Sequence, residues 1–328
     1  MKGANAMKYI KKMFQSLGTV NSIELAVMDE SKESIDNTMI MLDIIKNEIK
    51  AMDDLLSIYK ENSEISRLND LAGISEMKVS PLTFDILRTA QNFEKATSHS
   101  FDISLQPLIR LWGIGKKNNF VPIDEEITQI LENRTEDYLV LDDKQQTAYL
   151  KNPNQKIELG AIAKGYGADL AIRILKKHEV QNALLNFGGT IYCIGEPKKI
   201  GIQNPFKQTG EWLGFLTLNN ASAVTSGYYE KFFMKDGHCY HHIFDPQTGK
   251  PSDNNLAGVT VIGSNAASLD AISTAVYVLG IEKGSILLQE MGLDGIFILK
   301  TGEIFHTKGL ENNFQVLQND INTTEETI

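Results

Sequence analysis

The sequence predicts a mixed α and β fold in which helices dominate the first half and strands the second. Two observations carry this. Apolar residues recur at spacings of three and four between Ile35 and Leu56, and short apolar runs bounded by glycine follow Ile157. A third is the stretch from Ser268 to Gly280, whose apolar residues go almost all the way round a helix and mark it as buried. The 328 residues, 42% hydrophobic and 23% charged, are enough for a globular chain with a sizeable core. A formal net charge of −10 argues against a nucleic-acid partner. Cys193 and Cys239 match no zinc or CxxC spacing, so a disulfide framework is not expected. No apolar run reaches membrane-spanning length, and the start of the chain lacks a continuous apolar segment of the secretory kind.

Residues 1–16 read as an N-terminal extension. Leu17–Val20 and Ile23–Met28 then predict an opening strand pair. Ile35, Met39, Leu42, Ile45, Ile49, Met52 and Leu56 form the stripe of a long amphipathic helix entered at Ser31 or Ser34. After the polar segment Ser57–Asn69, Ser80-Pro81 opens a second helix that turns Phe84, Leu87, Ala90 and Phe93 inward. His99–Gly113 reads as a short capped helix with a packed Trp112. Asp124-Glu125-Glu126 opens another helix, and Tyr138–Leu141 with Thr147–Leu150 form a hairpin.

Ile157–Asp169 enters a helix continuing to about His178. Its three glycines, Gly160, Gly165 and Gly167, need a reason: close approach of a ligand, or tight packing against a neighbour. The spacing is neither a dinucleotide fingerprint nor a Walker A sequence. Lys164 between them either reaches a phosphate or extends to solvent. Ala183–Phe187 is a buried-type strand ending at Gly188-Gly189, and Ile200–Pro205 is another. Ala223–Tyr229 runs into a loop of small hydroxyl residues, and His241–Gly249 is a strand followed by a proline turn. Alternation sends His241 and His242 to opposite faces, which counts against a zinc site there. Gly258–Gly263 is a strand, a further helix lies around Ser285–Met291, and Gly295–Thr307 closes as a hairpin. Residues 318–328 read as a loose polar tail. On the Ser268–Gly280 helix, Asp270 and Thr274 stand one above the other on a single face. A carboxylate there needs a partner, a hydrogen bond or a metal; the plainer alternative is an Asp in the first helical turn, favourable to the helix dipole, with Thr274 bonding back to a carbonyl.

Taken in order, these segments resemble the ApbE family of FAD:protein FMN transferases. The resemblance rests on Ser57-Ile58-Tyr59, Phe101-Asp102, Trp112-Gly113, Gly160–Tyr166 with Asp169, Gly188-Gly189, Thr225-Ser226-Gly227, His242–Pro246 with Thr248-Gly249, and Asp270 with Thr274. It covers about Leu17 to Phe314 and implies one domain over 17–317. The implied fold is α+β, two interleaved lobes of mixed β-sheet flanked by helices, with the ligand cleft between the lobes. The implied activity takes FAD as substrate, attaches FMN to a Ser or Thr hydroxyl of an acceptor flavoprotein, and releases AMP. An FAD pyrophosphatase and a non-catalytic FAD-binding protein are the alternatives. By the same resemblance, Asp270, Thr274 and the carbonyl of Ala161 hold Mg2+, an oxygen-only set of the kind that ion prefers. Lys164, Ser57, Tyr59, Phe101, Asp102, Gly188, Gly189, Thr225, Ser226 and Ile243 fall at FAD-binding positions, the aromatic rings being suited to stacking. His242 is the candidate for handling the acceptor hydroxyl proton, with Asp245 orienting it or shaping the loop. Departures from the family pattern are Thr190 after the double glycine, Glu158 where Asp is common, and no Trp before Ile202-Gln203. The absence of a lipoprotein leader favours a cytoplasmic member.

Overall fold

The computed structural model describes residues 7–115, 120–317 and 325–328. The chain opens with a hairpin of β1 (Tyr9–Ser16) and β2 (Thr19–Ala26). Leu17 and Gly18 both take positive φ, 55° and 70°, as a tight two-residue hairpin turn requires. Leu17-Gly18 is thus the turn and not part of a strand. The extension expected over 1–16 instead supplies β1, which pairs with β2 along its whole length. Its alternation is weak because β1 is an edge strand with one paired side.

Helix α1 (Lys32–Leu56) is capped by Ser31 and buries Leu42, Ile45, Ile49, Met52 and Leu56. A region inserted between β2 and the next strand of the main sheet follows. It holds α2 (Glu64–Asp70), β3 (Met77–Lys78), α3 (Pro81–Ala96), α4 (Gln106–Trp112), α5 (Asp124–Glu132), β4 (Leu139–Asp142) and β5 (Thr147–Leu150). Strands β3, β5 and β4 form a small sheet of their own. Ser80 caps α3 ahead of Pro81, and Gly113, left-handed at φ 57°, ends α4. Phe84, Leu87 and Ala90 are buried as the spacing predicts, while Phe93 is half-buried.

The chain then returns through α6 (Gly160–Lys177) to β6 (Ala183–Phe187) and β7 (Thr190–Ile194), joined across Gly188 and Gly189. Strands β8 (Lys198–Gln203) and β9 (Trp212–Leu218) follow, then β10 (Ser222–Gly227), so Thr225 and Ser226 sit on a strand and not in a loop. A small hairpin of β11 (Phe232–Lys235) and β12 (His238–His241) precedes β13 (Leu256–Gly263). Last come α7 (Ala266–Met291), β14 (Asp294–Leu299), β15 (Ile304–His306), β16 (Phe314–Val316) and β17 (Glu325–Thr327). The main sheet has nine strands in the order β1-β2-β6-β7-β10-β13-β14-β15-β17, and β16-β9-β8 form a third sheet. Two strands from the start of the chain therefore share a sheet with seven from its second half, which is the interleaving that the mixed α+β fold was expected to show. Part of the expected tail, Glu325–Thr327, pairs in parallel with β15; residues 318–324 lie outside the described residues.

Helix α7 is broken at Gly280, whose φ of 76° and ψ of −179° are not helical, so the stop expected there exists although the chain turns straight into a second helical segment. By length and composition alone this 26-residue element could cross a membrane. That corrects the expectation that nothing reaches such length. Here it is a core helix, with Leu269, Ile272, Val276 and Tyr277 all buried against the sheet and α6.

Candidate functional site

Helices α6 and α7 cross so closely that Gly165 has no room for a side chain. A Cβ there would stand 2.2 Å from the backbone oxygen of Ala266 and 2.7 Å from Cα of Ala267. Of the two reasons available for glycine in this stretch, packing of helix on helix is the one that applies at Gly165. The contact is locked from both sides. Asp169 on α6 accepts from the N–H groups of Ala266 and Ala267 at 3.0 and 2.8 Å, satisfying two donors at the start of α7. In return, Asp270 on α7 accepts from the Gly165 N–H at 2.9 Å.

Asp270 is only 3% exposed, so its charge needs compensation. Besides the Gly165 N–H, it has the ammonium of Lys164, 3.4 Å from Oδ1. The regular helical partner of the Gly165 N–H is the carbonyl of Ala161, four residues back. Asp270 therefore competes for that donor and leaves lone-pair density on the Ala161 oxygen. Thr274 Oγ1 donates to the Asp270 carbonyl at 3.2 Å, which also keeps its own lone pairs available. A carboxylate, a hydroxyl and a carbonyl, all oxygen, form a donor set suited to Mg2+ in kind. Among the described residues no three His, Cys, Asp or Glu side chains converge on a metal position; the expected set contains only one such side chain.

Lys164 is the centre of a wider charge cluster. Burial alone would lower its pKa, but Asp270, Glu230 and Glu158 together raise it above the usual lysine value. It also bonds to the Gly160 carbonyl at 3.3 Å. Lys164 thus turns inward, not to solvent. Glu158 accepts from the Gly160 N–H at 2.8 Å; burial raises its pKa against the pull of that bond, Lys164 and Lys231. Glu230, which sequence reasoning passed over, reaches the cluster because the turn after β10 folds it back over Gly189.

His242 lies at the same cluster. Its Nδ1 is 3.3 Å from the Lys231 carbonyl, and its own N–H donates to that oxygen at 3.1 Å. A carbonyl can only accept, so Nδ1 carries the proton and Nε2 keeps the lone pair. Burial, then the charges of Lys231, His241 and Lys164, lower the His242 pKa to about 3. The ring is neutral at neutral pH. Asp245 shapes the loop: its Oδ1 accepts from Gln247 N–H at 2.8 Å and its carbonyl from Gly249 N–H at 2.8 Å.

Other expected positions separate. Tyr59 is 77% exposed near Glu158, and Ser57 closes α1 while its Oγ accepts from the Tyr59 N–H. Phe101 is 0% exposed inside the main core, so its ring cannot stack on a ligand as expected. The Asp102 side chain is buried and paired with Arg134, and its Oδ1 accepts from the Ser104 N–H at 2.6 Å, which commits it to the fold. Thr225 Oγ1 meets Thr260 Oγ1 at 2.8 Å, and Ser226 Oγ meets Ser273 Oγ at 2.9 Å, linking β10 to β13 and α7. The Gly189 carbonyl accepts from Thr225 N–H at 3.2 Å, and Ile243 is buried beside His241.

Residues 17–297 match the family model described as ApbE. The chain belongs to the ApbE family. As an ApbE protein it is an enzyme, a flavin transferase. A relative named FAD:protein FMN transferase from Klebsiella pneumoniae (strain 342) is 36% identical over 257 residues, 78% of this chain and 81% of its own length. Another of that name, from Escherichia coli (strain K12), is 31% identical over 272 residues, 80% of this chain and 78% of its own. The ApbE protein of Thermotoga maritima superposes with a TM-score of 0.80 at 31% identity, covering 90% of this chain and 96% of that one. The apo flavinyl transferase ApbE of Pseudomonas stutzeri gives 0.77 at 26% identity, over 95% and 94% of the two chains.

Proposed function

We propose that this ApbE protein cleaves FAD and transfers its FMN half to a Ser or Thr hydroxyl of an acceptor flavoprotein, releasing AMP. The observation that carries this reading is the convergence on Lys164, which touches Asp270 at 3.4 Å and whose charge is felt by His242. The relatives named FAD:protein FMN transferase support the donor and the kind of acceptor.

Asp270, Thr274 and the Ala161 carbonyl would hold Mg2+, which when bound neutralises pyrophosphate charge and polarises the phosphorus under attack. Lys164, 3.4 Å from Asp270, would offer its ammonium to the pyrophosphate, adding charge stabilisation that an acidic protein otherwise lacks. His242, neutral and with Nε2 free to accept, takes the proton from the acceptor hydroxyl. The hydroxyl oxygen forms the new bond to the FMN phosphorus, and the bond from that phosphorus to the bridging oxygen breaks as AMP leaves. Phosphoryl chemistry of this kind mainly requires positioning and charge stabilisation, so few further side chains need act.

The test incubates the protein with FAD and Mg2+, with and without a candidate acceptor bearing an exposed Thr in a small-residue loop. FMN mass on the acceptor, lost on chelation, is expected. AMP and free FMN with an unmodified acceptor would instead mark hydrolysis. Asp270→Ala should abolish turnover, a fall of 100-fold or more on the order of one lost electrostatic stabiliser, while FAD affinity drops less; normal turnover would refute the metal assignment.

A further inference from the structure

The β11–β12 hairpin has two working faces. Register pairs Phe232 with His241 and Met234 with Cys239, so these four side chains share one face. Phe233 and Tyr240 share the other, stacked at 5.1 Å, and Tyr240 lies 5.7 Å from Trp112 of α4. The first face walls a cavity of about 480 Å³ that also takes in Phe206, Lys207, Tyr228 and Lys300.

We propose that this cavity is the docking groove for the acceptor polypeptide, receiving an apolar and an acidic side chain from the segment that flanks the modified hydroxyl. The inference rests on the transferase reading above and adds to it where and by what chemistry the protein substrate is held. Three features argue for it. Phe206, Phe232 and Met234, which line the cavity, are 40%, 45% and 57% exposed, an apolar surface of the kind that partners cover. Among the described residues no carboxylate lines the cavity, whereas the exposed Lys300 does. The imidazole of His241 adds no charge: burial lowers its pKa to about 4, and Nε2 donates to the Ser252 carbonyl at 3.0 Å. The groove is therefore apolar and cationic, complementary to an acidic, apolar segment. His242 follows β12 directly and belongs to the opposite side. Its sequence neighbour His241 lines the groove, so an acceptor segment held there lies one residue along β12 from the proposed base.

The test uses the full chain and two fluorescein-labelled peptides. Each has one Thr among Gly and Ala residues; one is flanked by Leu-Asp pairs, the other by Leu-Lys pairs. Anisotropy should give tighter binding of the Leu-Asp peptide, about fivefold or more. Phe232→Ala should weaken it about tenfold, and Lys300→Glu should reverse the preference between the peptides. FAD affinity should stay within about twofold in both variants, which also reports that they fold. Equal binding of the two peptides, or binding indifferent to both substitutions, overturns the proposal. Absence of FMN on the peptide with this binding pattern intact would instead refute the transferase reading and support the groove.

Discussion

His242 shows how far a local environment sets chemistry. With its pKa lowered to about 3 by burial and neighbouring cations, its basic form is present across the working range. The acid limb of kcat/KM, which reports the free enzyme, should therefore lie well below pH 5; a limb centred near 6.5 would mean an ordinary, solvated imidazole. Glu94 behaves oppositely. Its Oε1 accepts from Tyr138 OH at 2.6 Å and Ile103 N–H at 2.9 Å, and burial, then the charge of Asp102, raise its pKa to about 8. A raised folded-state pKa means the native state holds a proton that the unfolded chain has lost. That stabilisation is full below about pH 4.5 and is lost as pH climbs to about 8, at no more than about 1.4 kcal/mol per pH unit. Urea midpoints should fall over this window, and Glu94→Gln, which keeps the accepting oxygen, should flatten the fall. An unchanged slope in the variant would place the proton elsewhere. The same residues mark the limit of the sequence. Asp270 and Thr274 were legible as one helical face because that follows from spacing. Phe101 was not, because whether a ring faces core or ligand depends on what packs over it from elsewhere in the chain.

At the scale of elements, caps and stripes were the readable signals. Ser31, Ser80 and Gly280 mark helix limits where side-chain and backbone chemistry is local. Strands β1, β7 and β9 were passed over: β1 is a charged edge, and β7 and β9 each lie between the preceding strand, β6 or β8, and a later one, β10 or β16. The α6–α7 contact could not be read either, since Gly165 had two possible reasons and only the neighbouring backbone decides. Gly165→Ala should push the helices apart, at a cost of roughly 1–3 kcal/mol for overpacking, and should weaken Mg2+ binding measured by calorimetry. A variant with unaltered denaturant midpoint and metal affinity would show that the helices can separate without consequence.

Across the whole molecule, the inserted region reaches the loop beyond His242 by two hydrogen bonds. Trp112 Nε1 donates to the Gly249 carbonyl at 2.9 Å, and Arg134, paired with buried Asp102, donates to the Pro246 carbonyl. Arg134→Met would leave the Asp102 charge buried and unpaired, and about 3–5 kcal/mol of stability should be lost, with transferase activity falling even where the variant remains folded. A loss below about 1 kcal/mol would mean that solvent reaches Asp102. The Gly165 N–H and the Asp270 carboxylate that it serves are 105 residues apart. A ribosome completes the first long before the second exists. Until α7 emerges, the nascent chain holds the Lys164 ammonium but neither Asp270 nor Thr274, so the charge cluster around Lys164 assembles only once both helices have been made.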